Sequence, residues 1–200
     1  ALLGHERVLT GPESGITRDA IAIDWQYKGH ALRLIDTAGM RKKSKIDQKV
    51  ERLSVSDALR SIQYAQIVVM LMDANAPLEH QELTIIQHAI AEGRAIVLAL
   101  NKWDTITNPQ AVLEETHHQV DRLLPQIKGV PVVPISALQG KHTETVIDHC
   151  LKVYGLWNTV IPKAALNAWL QEAEARHPPP LASNKRPIRL KYITQHKRRP

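Results

Sequence analysis

Five short stretches of the chain carry the hydrophobic patterning of β-strands. Apolar residues alternate with polar ones, or run without interruption, over residues 20–27, 31–35, 67–73, 95–100 and 130–135. The last three are short, almost wholly apolar and far apart, which is typical of parallel strands covered on both faces. The first two are separated only by Lys28, Gly29 and His30. This is a hairpin distance, so we expect those two strands to pair antiparallel.

Helical spacing of apolar residues occupies most of the intervening sequence. It covers residues 47–64, 80–92, 109–124 and 143–156, each near a helix-start or breaker signal. Strands and helices therefore alternate along the chain. This order predicts an α/β fold with a mostly parallel sheet, one antiparallel edge strand and helices on both faces.

The pattern changes after a break at residues 157–162. Residues 163–176 have helical spacing, and the run His177-Pro178-Pro179-Pro180 ends it. Residues 187–194 then alternate apolar and basic side chains, which predicts a strand with a basic face. One helix and one strand are too few to form a domain, so we expect residues 161–200 to be part of one.

Composition places the chain among globular proteins and locates its charge. The 200 residues are 44% apolar and 23% charged, which allows one domain with a small second one. Residues 163–200 hold nine of the 26 Lys and Arg but two of the 20 Asp and Glu, so the net charge of +6 is C-terminal. A near-neutral body with a basic appendage favours an anionic partner, although a solvated tail would have the same composition.

The sequence also indicates the compartment. Its longest apolar runs have six residues, far short of the roughly 20 that a membrane helix needs, and its amino end lacks the pattern of a signal peptide. The single cysteine, Cys150, cannot form an internal disulfide, which suits a reducing cytosol. We therefore expect a cytoplasmic protein without a membrane contact.

Candidate ligand-binding residues follow the predicted strands, because ligands of open α/β sheets bind beyond the carboxyl ends of the strands. The run Asp36-Thr37-Ala38-Gly39 follows the second strand. Its carboxylate is suited to hold Mg²⁺ through a water, and its glycine amide to approach a phosphate. Upstream, Thr17 stands in a loop before the first strand, where its hydroxyl would complete the Mg²⁺ shell.

The run Asn101-Lys102-Trp103-Asp104 follows the fourth strand and is the more specific signal. A carboxylate at Asp104 can accept both N–H groups on the edge of guanine, whereas adenine would leave its charge unpaired. The Lys102 stem can lie along the base, and Asn101 can tie neighbouring loops. The run Ser136-Ala137-Leu138 follows the fifth strand, where a backbone amide can reach the guanine oxygen.

The order of these motifs resembles a translation-factor-type P-loop GTPase, and more closely the EngA (Der) family. That family has two tandem GTPase domains and a C-terminal domain that resembles a KH fold. The resemblance covers the whole chain. It is carried by residues 1–4, 15–19, 36–43, 101–104, 136–138 and 175–181. It implies that residues 1–160 are most of the second GTPase domain and that residues 161–200 begin the KH-like domain.

The resemblance implies a GTP-hydrolysing switch protein that acts in ribosome biogenesis. Its cofactors would be GTP or GDP, Mg²⁺ and K⁺. The protein would be a monomer, and its partners would be the large ribosomal subunit and its rRNA. The nucleotide would contact residues 36–40, 101–104 and 136–138, with Thr17 and Asp36 at the metal. Met40 stands where related enzymes have a glutamine that orients water. A thioether cannot orient water, so no catalytic residue is assigned.

One departure from the family is large. The phosphate-binding loop Gly-x-x-x-x-Gly-Lys-[Ser/Thr] does not occur in this sequence. In the family, the strand before that loop lies between the strands ending at Ile35 and Asp73, so we expect two strand edges to face a gap. This chain would then lack its phosphate cradle and be inactive, whereas the resemblance implies that the parent protein would be an enzyme.

Two alternatives from other classes stay open. The chain could be a non-catalytic RNA-binding or ribosome-docking module, in which the α/β part is a scaffold and the basic C-terminal segment binds. It could also be a generic flavodoxin-like domain in which residues 101–104 match the motif by coincidence.

Overall fold

A computed structural model describes residues 21–36, 61–182 and 185–195. The chain divides into two compact units, Ala1–Tyr154 and Gly155–Pro200. The strands are β1 (Ile21–Tyr27), β2 (His30–Asp36), β3 (Ile67–Asp73), β4 (Ala95–Asn101) and β5 (Val132–Pro134). The α-helices are α1 (His80–Ala91), α2 (Pro109–Leu123), α3 (Thr143–Trp157) and α4 (Lys163–Arg176). Of the helix predicted over residues 47–64, residues 61–64 are helical and the others lie outside the described residues.

The first two strands form the predicted antiparallel hairpin. They pair in register from Ile21 with Asp36 to Tyr27 with His30. The turn is Lys28-Gly29, with φ of 47° and 80°, which is the pair of positive φ angles that a two-residue hairpin turn with the right twist requires. His30, expected in the turn, instead begins β2. The turn starts one residue earlier because Gly29 serves best at its second, left-handed position.

Three parallel strands in the order β3-β4-β5 make a second sheet. Their pairing confirms the predicted α/β architecture with parallel strands and one antiparallel pair. Within the described residues, the hairpin is a separate two-stranded sheet, and no strand pairs with the outer edge of β3. Val69 and Leu71 on this strand are 42% and 48% exposed, whereas Met70 and Met72 on its opposite face are buried.

The core lies on both faces of β4, whose residues from Ala95 to Leu100 are all buried. Leu98 and Leu100 point to one face, and Val97 and Ala99 point to the other, as the alternation of a strand requires. Helices α1 and α2 cover the first face. Their buried residues there include Ile86 and Val120, and Leu124 directly after α2 is buried with them. Helix α3 covers the second face with Val146 and Cys150.

Burial raises the pKa of the Cys150 thiol to about 11. The thiol therefore stays protonated at neutral pH and behaves as a small apolar side chain of the core.

Local signals begin the helices close to the predicted residues. The α1 helix starts with a capping box in which the Glu82 carboxylate accepts the Glu79 N–H at 3.0 Å. The α2 helix starts with Pro109 in its first turn, and the Asn108 side chain accepts the Ala111 N–H at 3.3 Å. None of the helices in the described part of the chain is both long and apolar enough to cross a membrane.

In the second unit, α4 has the predicted bounds, but the strand predicted over residues 187–194 is wrong. These residues form no strand ladder, and their one bridge joins Pro187 to Leu181. Side chains of α4 take the place of a partner strand. Asn167 accepts the Ile193 N–H at 3.0 Å and donates to its carbonyl at 3.2 Å. Trp169 lies on the apolar face that the helical spacing of residues 163–176 indicates, but it is 59% exposed.

A clamp of three side chains joins the hairpin turn to α3. The Tyr27 hydroxyl and the Lys28 ammonium donate to Asp148 Oδ1 at 3.2 and 2.6 Å. The same ammonium lies 5.1 Å from the centroid of the Tyr27 ring, within cation–π range. The bond from Lys28 lowers the pKa of Asp148, and the reciprocal bond raises the pKa of Lys28.

We expect the clamp to control local opening of the hairpin. Asp148→Asn keeps the size of the side chain but removes its charge, so the β1 and β2 amides should exchange with deuterium roughly two- to fourfold faster. Hydrogen exchange read by NMR measures this directly. Asp121→Asn is the matched control, because it breaks a similar exposed ion pair, with Lys128 at 3.3 Å, on α2. Equal hairpin exchange in both variants would contradict the expected role.

Candidate functional site

The carboxyl ends of three parallel strands meet at one rim of the sheet. Asp73 at the end of β3 is paired in register with Asn101 at the end of β4. Ser136 follows β5 by two residues, and the Ile135 N–H donates to the Leu100 carbonyl at 2.8 Å. The rim therefore collects polar side chains from segments that are distant in sequence, in the place where α/β sheets bind ligands.

A tight turn follows β4 and shapes the loop of residues 101–104. Lys102 is left-handed, with φ 64° and ψ 31°, and a short 3₁₀ helix over Trp103–Thr105 follows it. The Trp103 N–H donates to the Ile135 carbonyl at 3.0 Å, which fastens this loop to the end of β5. Trp103 is partly buried and packs against the core on the face of β4 that α1 and α2 cover.

Asp104 is exposed and is oriented by a buried hydroxyl. Ser136, 3% exposed, donates its hydroxyl hydrogen to Asp104 Oδ1. The Ser136 oxygen in turn accepts the Gln139 N–H at 3.1 Å. This chain of bonds fixes the direction of a carboxylate that stays at the protein surface, so its charge remains available to a ligand with N–H donors.

Asn101 joins the same two loops through the backbone. Its Oδ1 accepts the Ala137 N–H at 3.0 Å, which is the tie between loops that the sequence predicts for this residue. In this structure the Ala137 amide is therefore engaged within the protein. Leu138, the last residue of the Ser-Ala-Leu run, is 88% exposed beside it.

Asp73 carries interactions that the sequence analysis missed. Its Oδ2 lies 2.5 Å from the Lys102 ammonium, and its Oδ1 accepts both the backbone and side-chain N–H of Asn75 at 3.0 Å. The bond from Lys102 first, and then those from Asn75, lower the pKa of Asp73 to about 2. The signal in the sequence was the register of parallel strands, which places a residue ending β3 beside the residues ending β4.

The predicted phosphate and metal half of the site can be located only in part. Asp36 ends β2, where its backbone pairs with Ile21. The predicted residues Thr17, Thr37, Ala38, Gly39 and Met40 lie outside the described residues. In the part of the chain that the structure describes, no group of three His, Cys, Asp or Glu side chains is placed to hold a metal ion.

Family models match nearly the whole chain. Residues 7–155 match the elongation factor Tu GTP binding domain. Residues 161–200 match the KH-domain-like region of EngA bacterial GTPase enzymes, C-terminal. The first match ends in the last turn of α3, and the second begins two residues before α4.

Close relatives agree with these matches. The chain is 48% identical over 199 residues to a GTPase Der of Parvibaculum lavamentivorans and 50% identical over 202 residues to that of Rickettsia felis. It is covered completely by each and spans 42% and 45% of their lengths, less than half of these relatives.

Two solved structures share the fold at low sequence identity. A structure of Era with MgGDPNP and nucleotides 1506–1542 of 16S ribosomal RNA matches with a TM-score of 0.61 and 23% identity, covering 76% of this chain and 50% of that one. A probable GTP-binding protein engB matches with a TM-score of 0.57 and 20% identity, covering 71% and 86%.

The Asp73 contacts predict a stability difference that depends on pH. Because its pKa is lower in the folded than in the unfolded chain, Asp73 stabilises the fold above about pH 4, and this contribution is lost as the pH falls toward 2. We expect Asp73→Asn to lower the free energy of unfolding by about 0.5–1 kcal/mol at pH 7. Urea unfolding between pH 3 and 7 should show the difference constant above pH 5 and shrinking below pH 4. A difference that grows on acidification would contradict the assignment.

Proposed function

Because this chain belongs to the elongation factor Tu GTP-binding domain family, in its EngA (Der) branch, we propose that it forms the guanine-recognising part of a GTP-hydrolysing switch. The observation that carries the proposal is the convergence of Asn101, Asp104 and Ser136 at one rim. These residues come from two loops. The loops are joined by the Ser136 hydroxyl, which donates to Asp104, and by the Ala137 N–H, which donates to Asn101, and together they form the proposed base site. The reaction of the whole protein is GTP plus water to GDP and phosphate.

Base selection follows from the charge of Asp104. Guanine presents two adjacent N–H donors to an exposed carboxylate, and Ser136 holds that carboxylate in one orientation. Adenine presents a different edge, so binding it would desolvate the carboxylate without replacing its hydrogen bonds. The Lys102 stem lies along the base in this proposal, and one backbone amide of residues 136–138 donates to the guanine oxygen.

The phosphate half is proposed from the family. Asp36, at the end of β2, would hold Mg²⁺ through a water, and Thr17 would complete the shell. Hydroxyl and carboxylate oxygens are the donors that Mg²⁺ prefers, so this pair fits the ion, which would neutralise phosphate charge. Residues 37–40 would contact the γ-phosphate, with Met40 unable to orient water. We propose that K⁺ supports hydrolysis in place of the water-orienting glutamine of related enzymes.

The second unit supports a role on the ribosome. It matches the KH-domain-like region of EngA, and residues 163–200 hold the whole net positive charge. Basic segments bind RNA through phosphate contacts. We propose that the protein binds rRNA as a cytoplasmic monomer and acts in assembly of the large ribosomal subunit.

A second candidate function is a non-catalytic RNA-docking module. The observation that favours it is the basic second unit, where residues 163–200 hold nine Lys and Arg but two Asp and Glu. In this alternative the α/β unit supports RNA binding and the rim has no nucleotide.

Base specificity tests the first proposal. We expect Asp104→Asn to weaken GDP binding about 100-fold and to favour XDP, because an amide can donate to the xanthine oxygen that replaces the guanine amino group. Calorimetric titration would use this chain extended at its amino end with the preceding region of the Rickettsia felis relative, where the family resemblance implies a phosphate loop. Asp121→Asn on α2 is the control and should leave both affinities unchanged. Equal affinity of the unsubstituted protein for ADP and GDP would remove the guanine assignment.

RNA binding separates the two candidates. For a switch, binding of ribosomal RNA by the same extended chain should be stronger with a non-hydrolysable GTP analogue than with GDP, and Asp36→Ala should abolish that difference. For a docking module, binding should weaken with salt but be indifferent to nucleotide and to Asp36→Ala. Filter binding over a series of salt concentrations distinguishes these outcomes.

A further inference from the structure

Four side chains close a hydrogen-bonded ring between the end of β3 and the base-recognition loop. Asp73 pairs with Lys102, Asn75 donates to Asp73, and the same Asn75 amide donates to Thr105 Oγ1 at 2.9 Å. The Thr105 hydroxyl donates to the Lys102 carbonyl at 2.8 Å, which closes the ring. Two segments about 30 residues apart are thus joined beside the proposed base site.

The ring fixes Lys102 at both of its ends. Its backbone is left-handed, a conformation that costs free energy in any residue with a side chain, and the bond from Thr105 stabilises the turn that requires it. Its ammonium is held by Asp73 at 2.5 Å. A lysine with a free ammonium would sample many rotamers, and a ligand would have to order them on binding.

We propose that Asp73 is a positioning residue for guanine nucleotide binding, which holds the Lys102 stem along the face where the base lies. The inference rests on the proposed function. Asp73 itself does not contact the base in this proposal. It acts by ordering Lys102 before the nucleotide arrives, so that less entropy is lost on binding.

A merely structural role for Asp73 is the competing explanation. Its Oδ1 accepts the Asn75 N–H and so closes the turn after β3. Asp73→Asn separates the two roles, because an asparagine keeps an oxygen that can accept this N–H but has no charge for Lys102. Lys102→Met, an unbranched side chain without an ammonium, removes the other partner and leaves the turn untouched.

A double-mutant cycle on these residues, in the extended chain described above, tests the inference. Calorimetry with GDP should show Asp73→Asn weakening binding about two- to fivefold, the range of an ion pair at this exposure. In the Lys102→Met background, Asp73→Asn should have no further effect. The preference for GDP over XDP should stay, because Asp104 is intact. Asp24→Asn, which breaks the hairpin pair with Arg33 at 2.7 Å, is the control.

Three results would overturn the inference. If the unsubstituted protein binds GDP and Asp73→Asn binds equally well, Asp73 does not position the site, while the guanine assignment stands. If the two substitutions act additively, Asp73 acts through the fold and not through Lys102. If the unsubstituted protein does not bind GDP, the proposed function and the inference fall together. Should Asp73→Asn not fold, Thr105→Val opens the ring from its other side and is expected to weaken GDP binding in the same range.

Discussion

The parallel pairing of β4 between β3 and β5 is the constraint on which the rest of the structure depends. The six residues from Ala95 to Leu100 are buried on both faces, so the register of this strand cannot shift without moving every side chain to the wrong core. A fixed register places the ends of three strands side by side. The polar residues at those ends, Asp73, Asn101 and Ser136, are thereby brought together, although they are distant in the sequence.

Much of the fold could be predicted because a strand that is buried on both faces has an almost wholly apolar sequence. The apolar run of β3 and the breakers around α4 predict the bounds of these two elements. The loop of residues 101–104 could be predicted from its local motif. The pairing of Asp73 with Lys102 could not be predicted from either segment alone. It depends on which residues the parallel register places opposite one another, and that is a property of the assembled sheet.

The predictions that were wrong share a physical reason. Alternation of apolar and basic residues after Pro187 reports two faces of an extended segment, but a strand also needs a neighbouring backbone to pair with. In the described residues, the Asn167 side chain of α4 instead hydrogen-bonds to the backbone N–H and carbonyl of Ile193. The helical spacing around Trp169 likewise reports a possible apolar face and not what covers it.

The charges of Lys102 and Asp104 at the rim have different kinds of partner, and the proposed function explains the difference. Lys102 is neutralised by Asp73, whereas Asp104 receives a bond from the uncharged hydroxyl of Ser136. A cation beside Asp104 would already satisfy its charge, and guanine would have to displace that cation to bind. Holding the neighbouring ammonium on Asp73 prevents this competition. Among the described residues, the neutral donor to Asp104 and the charged partner of Lys102 therefore leave the Asp104 carboxylate without an ion pair and in a fixed direction, as the proposed base site requires.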